Sequence, residues 1–360
     1  MSSNLWTSSR LSATRRCLRL AHNRFGLGLG EPQSEVARFG TVGHAAIEAG
    51  LLAYGQPEPW RLRVALDACD ALGDAYERAR VRAAIVGYWL RWGGEPWEIL
   101  AVEQEFRFML GEYEIGGKID ALVREPNGST WVLEHKFTAQ DASPGAVYWE
   151  RLTIDTQVSI YVDGAAFLGH GEIAGVIYDV INKPLHKPAL ATPADKRKTT
   201  IGKGCQLCGG KARGVKGSGL RGADPTQPCA GCQGTGWRIG EGPQLYAGQR
   251  DADEHANAFE ARILEAIAKA PDDFYRRGKV VRLVDELPKM RADIIDTIKL
   301  ARVADLFDIH PRNSDACAKF GARSLCGFFD ACTGRADIND PIRFPRGTAH
   351  PELAATHPNV

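Results

Sequence analysis

Two stretches decide how this chain is read. The first is Gly116-Gly117-Lys118-Ile119-Asp120; the second, beyond the turn Pro126-Asn127-Gly128, is Trp131-Val132-Leu133-Glu134-His135-Lys136-Phe137. Both alternate in strand fashion, and Val102–Leu110 before them has the same texture, so a three-stranded meander is expected. Strand side chains alternate faces: Glu134 and Lys136 project to one side and His135 points away. If the strands pair through the turn, Asp120 comes beside Glu134. Two carboxylates there suit Mg²⁺ or Mn²⁺, hard cations that prefer oxygen ligands. A lysine between Leu133 and Phe137 on a buried-looking strand needs a chemical reason, because unpaired buried charge is costly. Orienting an attacking water, or stabilising charge that develops on phosphorus, would be such a reason. Taken alone, the trio also fits a strand-edge salt bridge.

Working outward, residues 8–24 read as a basic helical segment, Gly43 to Tyr54 as a short apolar helix, and Trp60 to Trp92 as one or two longer helices. After the meander, Tyr148 to Phe167 returns to helical period and Gly175–Ile181 is a β-branched strand. Helix, three strands, helix and strand make an α/β core with a mixed central sheet flanked by helices. From Lys183 to about Gly242 the chain is rich in Pro, Gly, Lys and Thr. Helical pattern resumes at Glu254–Ala270 and Asp285–Phe307. The expected division is therefore a core over 1–182, a basic Gly-rich insertion over 183–243, a helical C-terminal region over 244–340, and a poorly ordered tail from Pro341.

An apolar content of 44% with 25% charged residues is that of an ordinary globular protein. No run approaches the roughly 18 apolar residues that span a bilayer, and Met1 to Arg16 has no apolar core of a secretory signal. A cytoplasmic protein without a membrane partner is expected. The net charge of +1 argues against a globally basic nucleic-acid binder, yet the charge is uneven. Between Lys183 and Arg221 stand ten Lys or Arg against one acid, Asp195. Such a patch attracts phosphate backbones, and it is equally what a solvated basic loop looks like.

Nine cysteines in a cytosolic chain point to metal rather than disulfides. Cys205-Gln-Leu-Cys208 and Cys229-Ala-Gly-Cys232 are paired C-x-x-C knuckles, a strong signal for a tetrahedral Zn²⁺ site. Glycines 209, 210, 234 and 236 follow the knuckles, as tight thiolate turns require. A structural role is expected for this metal, with DNA guidance by the neighbouring basic residues as a second reading. Cys69 reads as a buried small hydrophobe. Cys17, Cys317, Cys326 and Cys332 are widely dispersed, and spacing alone does not decide their role.

The meander and its surroundings resemble the PD-(D/E)XK nuclease superfamily, specifically its RecB-like branch of phage exonucleases and CRISPR-adaptation nucleases. The pieces that carry the resemblance are Gly43-His44, then Gly117-Lys118-Ile119-Asp120, then Glu134-His135-Lys136, then Gln157-Val158-Ser159-Ile160-Tyr161, in that order. The resemblance spans roughly residues 8–182 and resumes in the tail. It implies a restriction-endonuclease-like core in which Asp120 and Glu134 are carboxylate ligands of Mg²⁺ or Mn²⁺. His44 would be a further ligand, and the backbone carbonyl of His135 would complete the site. Lys136 would be catalytic, while Gln157 and Tyr161, one helical turn apart, would shape the site and contact DNA. Glu103 and Glu105 are read as surface or supporting groups, with a second metal as the alternative. Iron–sulfur nucleases of this branch place one cysteine before the core and three near the C-terminus, which implies a structural [4Fe–4S] cluster on Cys17, Cys317, Cys326 and Cys332.

The activity implied is hydrolysis of DNA phosphodiester bonds, by an exonuclease of phage-type recombination or DNA repair. A single-strand annealing protein or another recombination factor would then be its partner. A non-catalytic DNA-binding scaffold on the same fold and a CRISPR-adaptation endonuclease are the alternatives.

Overall fold

A computed structural model of the chain describes residues 4–31, 35–200, 203–208, 211, 226–238, 240, 243–283, 285–319, 324–348, 350 and 353. The elements run in order as β1 (Leu5–Trp6), α1 (Ser8–Arg16), α2 (Leu18–Ala21), a π-helical turn (His22–Gly26), α3 (Glu35–Leu52), α4 (Glu58–Ala68) and α5 (Ala75–Trp92). Then come the meander strands β2 (Glu98–Leu110), β3 (Tyr113–Arg124) and β4 (Thr130–Thr138), followed by α6 (Val147–Leu152), α7 (Thr156–Phe167) and β5 (Ile173–Asn182). The remainder holds α8 (Ala256–Lys269), α9 (Pro271–Phe274), β6 (Tyr275–Val280), α10 (Glu286–Leu306), α11 (Ser314–Cys317) and α12 (Phe329–Cys332).

The expected mixed sheet is present, and its topology explains where a site can form. β3 pairs antiparallel with β2 along its whole length and with β4 only from Ala121↔Leu133 to Arg124↔Thr130. Beyond Ala121 the two strands part. β1, a two-residue strand not foreseen in the sequence, runs parallel to β3 at Glu114 and Ile115, on the edge that β4 has left. β5 pairs parallel with β4, and β6, also unforeseen, closes the sheet antiparallel to β5. Both strands missed in this sheet are short, and β6 carries Arg276, Arg277 and Lys279 where a strand pattern would want apolar residues; a separate two-stranded pair, Ala318–Lys319 with Ser324–Leu325, is also unforeseen.

Helices cover both faces. Phe106, Ile115, Ile119, Val132, Val158, Tyr161 and Tyr178 belong to one buried core that includes α7. The single helix expected over 148–167 is broken, because Asp155 caps α7 by accepting from the Gln157 N–H at 2.9 Å. Phe106 is gripped between two glycines: a Cβ on Gly117 would lie 2.6 Å from its ring and one on Gly164 2.5 Å. That close approach seats α7 on β2 and β3.

The chain forms two compact units, one of Met1–Leu185 with Glu260–Val360 and one of His186–Phe259. The second is longer than the insertion expected over 183–243. Its closing strand of chain returns alongside the opening one, with Thr200 N–H donating to Gln244 O (2.8 Å), Thr192 N–H to Arg250 O (2.9 Å) and Glu254 N–H to Ala189 O (2.8 Å). Lys183, counted in the basic patch, belongs to the first unit and is buried in an ion pair with Glu35 at 2.8 Å. The tail beyond Pro341 also departs from expectation. Phe344 is 2% exposed and stacks on Phe328, and Gly30 N–H donates to Pro345 O at 2.7 Å. Phe344 has an apolar seat with Phe25 and Leu29, and the Gly347 N–H donates to Gly28 O at 2.9 Å. Residues 349, 351–352 and 354–360 lie outside the described residues.

Candidate active site

The register of β2, β3 and β4 sets three acidic residues in a row. Val102↔Ala121 and Gln104↔Ile119 put Glu103 across from Asp120. The β3–β4 ladder, continued by one residue, puts Asp120 across from Glu134. At this step the ladder is replaced by a side chain: the His135 backbone N–H donates to Asp120 Oδ2 at 2.8 Å. The strands are therefore held at the split by the carboxylate itself, and a buried N–H that lost its strand partner regains one.

On one face stand Glu134 and Lys136. Lys136 Nζ donates to Glu134 Oε1 at 2.5 Å and to Gln157 Oε1 at 3.0 Å. Gln157 Nε2 donates to Glu134 Oε1 (3.1 Å) and to Tyr161 Oη (2.8 Å). Glu134 is 2% exposed, and its other oxygen, Oε2, is buried with no hydrogen-bond partner among the described residues. On the opposite face, α3 brings His44 Nδ1 to 3.4 Å from Asp120 Oδ2. Gly43 permits this, since a Cβ there would meet the Phe137 ring at 2.4 Å. The sequence reading that His135 points away is correct as to face, yet its Nδ1 folds back to 3.2 Å from Asp120 Oδ2.

The electrostatics follow from this crowding. Burial would raise the Asp120 carboxyl, but His44 and His135 beside it hold it well below the usual range. Glu134 goes the other way: burial first, and the Asp120 charge second, push it up to about 7. The Lys136 ammonium, against burial, is kept raised by Glu134. Two neighbouring carboxyls thus differ strongly in proton affinity. An orphaned buried oxygen on Glu134, next to an ionised Asp120 and an imidazole, fits a hard divalent cation.

Behind His135 lies a chain of contacts that the sequence reading missed. The Tyr88 hydroxyl is 3.0 Å from His135 Nε2 and donates to Asp179 Oδ2 at 3.0 Å. Arg277 grips Asp179 with two hydrogen bonds of 2.5 and 2.7 Å, and is itself stacked against Trp92 and Trp97. Asp179 is fully buried. The available signal was an acid inside the apolar run Val176-Ile177-Tyr178-Asp179-Val180-Ile181, since a buried charge implies a partner. Glu103 has a left-handed backbone, φ 50°, and pairs with Lys118. Such strain in a non-glycine residue is concentrated at functional sites.

The four cysteines of the second unit meet as expected. Cys205, Cys208, Cys229 and Cys232 are buried, with sulfurs all within 4.8 Å of one another, and Cys208–Cys232 and Cys205–Cys229 stand 3.8 and 4.0 Å apart. Four thiolates about 2.3 Å from one ion would be roughly 3.8 Å apart. Gly234 and Gly236 adopt φ of 85° and 81°, and the Gly236 N–H donates to Cys232 Sγ. Gly209 and Gly210 lie outside the described residues, as do Arg213, Lys216 and Arg221. Lys187, Lys196, Arg197, Lys198, Lys203 and Lys211 are exposed. In the first unit, Cys17 lines one cavity with Cys317, Cys326 and Cys332, near the other end of the sequence, and with Leu20 and Phe328. Cys69 is fully buried, and burial pushes its thiol up to about 12, which makes it inert.

The sequence profile of the PD-(D/E)XK nuclease superfamily matches residues 5–237, more than half of the chain. No curated protein matches it. Among solved structures, the crystal structure of SSO0001 is similar at 16% identity with a TM-score of 0.24. The likeness covers 51% of this chain and 64% of that one, so the chain spans less than two thirds of its length. Among the described residues, no helix is long and apolar enough to cross a membrane.

Proposed function

The chain belongs to the PD-(D/E)XK nuclease superfamily, and on that premise we propose that it is a metal-dependent deoxyribonuclease of the RecB-like branch. Its activity would be that of an exonuclease in phage-type recombination or DNA repair. The observation that carries the reading is the unpartnered, buried Glu134 Oε2 beside Asp120 and Lys136.

Asp120, Glu134 and His44 would hold Mg²⁺ or Mn²⁺, with the His135 carbonyl completing the set. A bound ion supplies Lewis-acid polarisation of the scissile phosphate and a lowered pKa for water. Lys136 would set its ammonium against charge developing on the phosphate oxygens. Gln157 holds both Lys136 and Glu134, so it fixes the ammonium's direction rather than its charge. Tyr161 in turn holds Gln157 and, with it, would face the DNA. His135 supports Asp120 through its backbone N–H and its ring.

Zn²⁺ on Cys205, Cys208, Cys229 and Cys232 would replace the core that a short Gly-rich unit lacks. The exposed lysines and arginine of that unit would track the DNA backbone. A [4Fe–4S] cluster is proposed for Cys17, Cys317, Cys326 and Cys332, because these four thiols line one cavity. It would tie the N-terminal arm to the chain end.

The test is cleavage of end-labelled single- and double-stranded DNA by anaerobically purified wild type and Lys136→Ala, each with Mg²⁺, Mn²⁺ or EDTA. Metal-dependent degradation from ends, lost in a folded Lys136→Ala, is the expected result. A folded, metal-replete wild type that binds DNA and never cuts it would leave a scaffold role instead.

A further inference from the structure

A second set of metal-ligating side chains, none of them in the candidate active site, gathers where α10 ends. Ligand atoms of His22, Asp305 and His310 all lie within 4.8 Å of one another. His310 Nε2 is 2.9 Å from Asp305 Oδ1. Its other nitrogen, Nδ1, is 3.3 Å from Asp308 Oδ1. The His22 and His310 rings are 3.9 Å apart between centroids. His310 is buried, whereas Asp305 and Asp308 face solvent.

Three features of the backbone bring these groups together. His22 opens the π-helical turn His22–Gly26, a distortion found often at functional sites. Its ring lies on Gly26, where a Cβ would be 3.1 Å from Nδ1. Asp308 holds a left-handed φ of 51°, a strained conformation for a non-glycine residue. Asp305 stands in the last turn of a 21-residue helix, whose C-terminal end carries partial negative charge and favours a cation.

We infer that His22, His310 and Asp305 form a binding site for a divalent transition-metal ion of the Zn²⁺ class, with Asp308 orienting His310 from behind. Two imidazoles and one carboxylate are a donor set for Zn²⁺, Mn²⁺, Fe²⁺ or Co²⁺ rather than for Mg²⁺ or Ca²⁺. A carboxylate on the far nitrogen of a ligating histidine fixes its tautomer and raises its basicity, which is the part Asp308 takes. The remaining coordination positions would open to solvent on the Asp305 side. Such an ion would join the N-terminal arm at residue 22 to the segment at 305–310. Arg19 and Cys17 already reach the same segment, through the carbonyls of His310 and Pro311. The site is independent of the nuclease reading.

The experiment compares full-length wild type with His22→Gln, Asp305→Asn and Asp308→Asn. Each is equilibrated with Zn²⁺ and washed, and metal per chain is counted by elemental analysis. The cysteine and Asp120 sites are common to all four proteins, so only differences count. Wild type is expected to hold one more Zn²⁺ than His22→Gln or Asp305→Asn. Co²⁺ in its place should give a visible absorption of nitrogen and oxygen ligation that both variants lack. Asp308→Asn should keep the site with affinity weakened about 10- to 100-fold. Asp305 is on the surface, so Asp305→Asn remains foldable, which circular dichroism would check. Equal metal content and equal Co²⁺ spectra in all four folded proteins would overturn the site and leave a metal-free imidazole–carboxylate clamp.

Discussion

The His135 backbone N–H donates to Asp120 Oδ2 at 2.8 Å, just past Ala121↔Leu133, the last rung of the β3–β4 ladder. A single carboxylate is thus both the brace that ties two strands where their ladder ends and the ionised member of the candidate metal site. Asp120→Asn keeps the shape but removes the charge that faces His44 and His135. Divalent-ion affinity is expected to fall by at least about tenfold, the cost of one lost charge-assisted contact of roughly 1.5–3 kcal/mol. Calorimetric titration of Mn²⁺ into both proteins checks this.

Lys136→Ala should leave the fold intact and lower the cleavage rate by about 10²- to 10³-fold, the range for removal of one charge-stabilising donor. Gln157→Ala should fall between the two, because Lys136 keeps its contact with Glu134 when Gln157 is lost. Single-turnover rates would separate them. Equal losses in both would mean that Gln157 acts on the substrate directly.

The site should bind its ion more weakly in acid. Glu134 stands at about 7 in the folded protein, above its ordinary 4.5, so below pH 7 an incoming cation must displace a proton from it. His44, also raised, adds a second proton with the same sign. Affinity for Mn²⁺ should therefore rise with pH, about tenfold per unit or more below 7. Titrations at pH 6 and pH 8 that give equal affinity would contradict the assignment of Glu134 as a ligand.

Tyr88→Phe removes the hydroxyl between His135 and Asp179. Asp179 keeps both bonds to Arg277, so the main loss falls on His135. A stability decrease of about 1–3 kcal/mol is expected from the buried group left without its partner, measured by urea denaturation. A weaker affinity for the ion, with the catalytic rate at saturation unchanged, would place Tyr88 as a positioning residue for His135.

Gly164→Ala tests the seat of α7. Alanine favours a helix by about 1 kcal/mol over glycine, yet here its Cβ would lie 2.5 Å from the buried Phe106 ring. Overpacking of this kind costs typically about 1–3 kcal/mol. A net loss of stability, with slower cleavage as Gln157 and Tyr161 shift, is the expected outcome of thermal melts and assays.

How much of this was legible in the sequence follows from the range of each interaction. Alternation over Gly116–Asp120 and Trp131–Phe137 with a Pro-Asn-Gly turn determined the meander, because side-chain period and turn chemistry are local. The same locality determined that Glu134 and Lys136 share a face, and that Gln157 and Tyr161 share another. Knuckle spacing was likewise enough to expect Cys205, Cys208, Cys229 and Cys232 at one point. The brace from His135 N–H to Asp120, the partner chain Tyr88–Asp179–Arg277 and the docking of Phe344 were decided only by the tertiary structure. Each joins groups remote along the chain: Arg277 is 98 residues from Asp179, and His22 is some 280 from Asp305. No periodicity encodes such pairings. They arise when burial strips water from polar groups and leaves each one to find a partner wherever the fold brings one within reach.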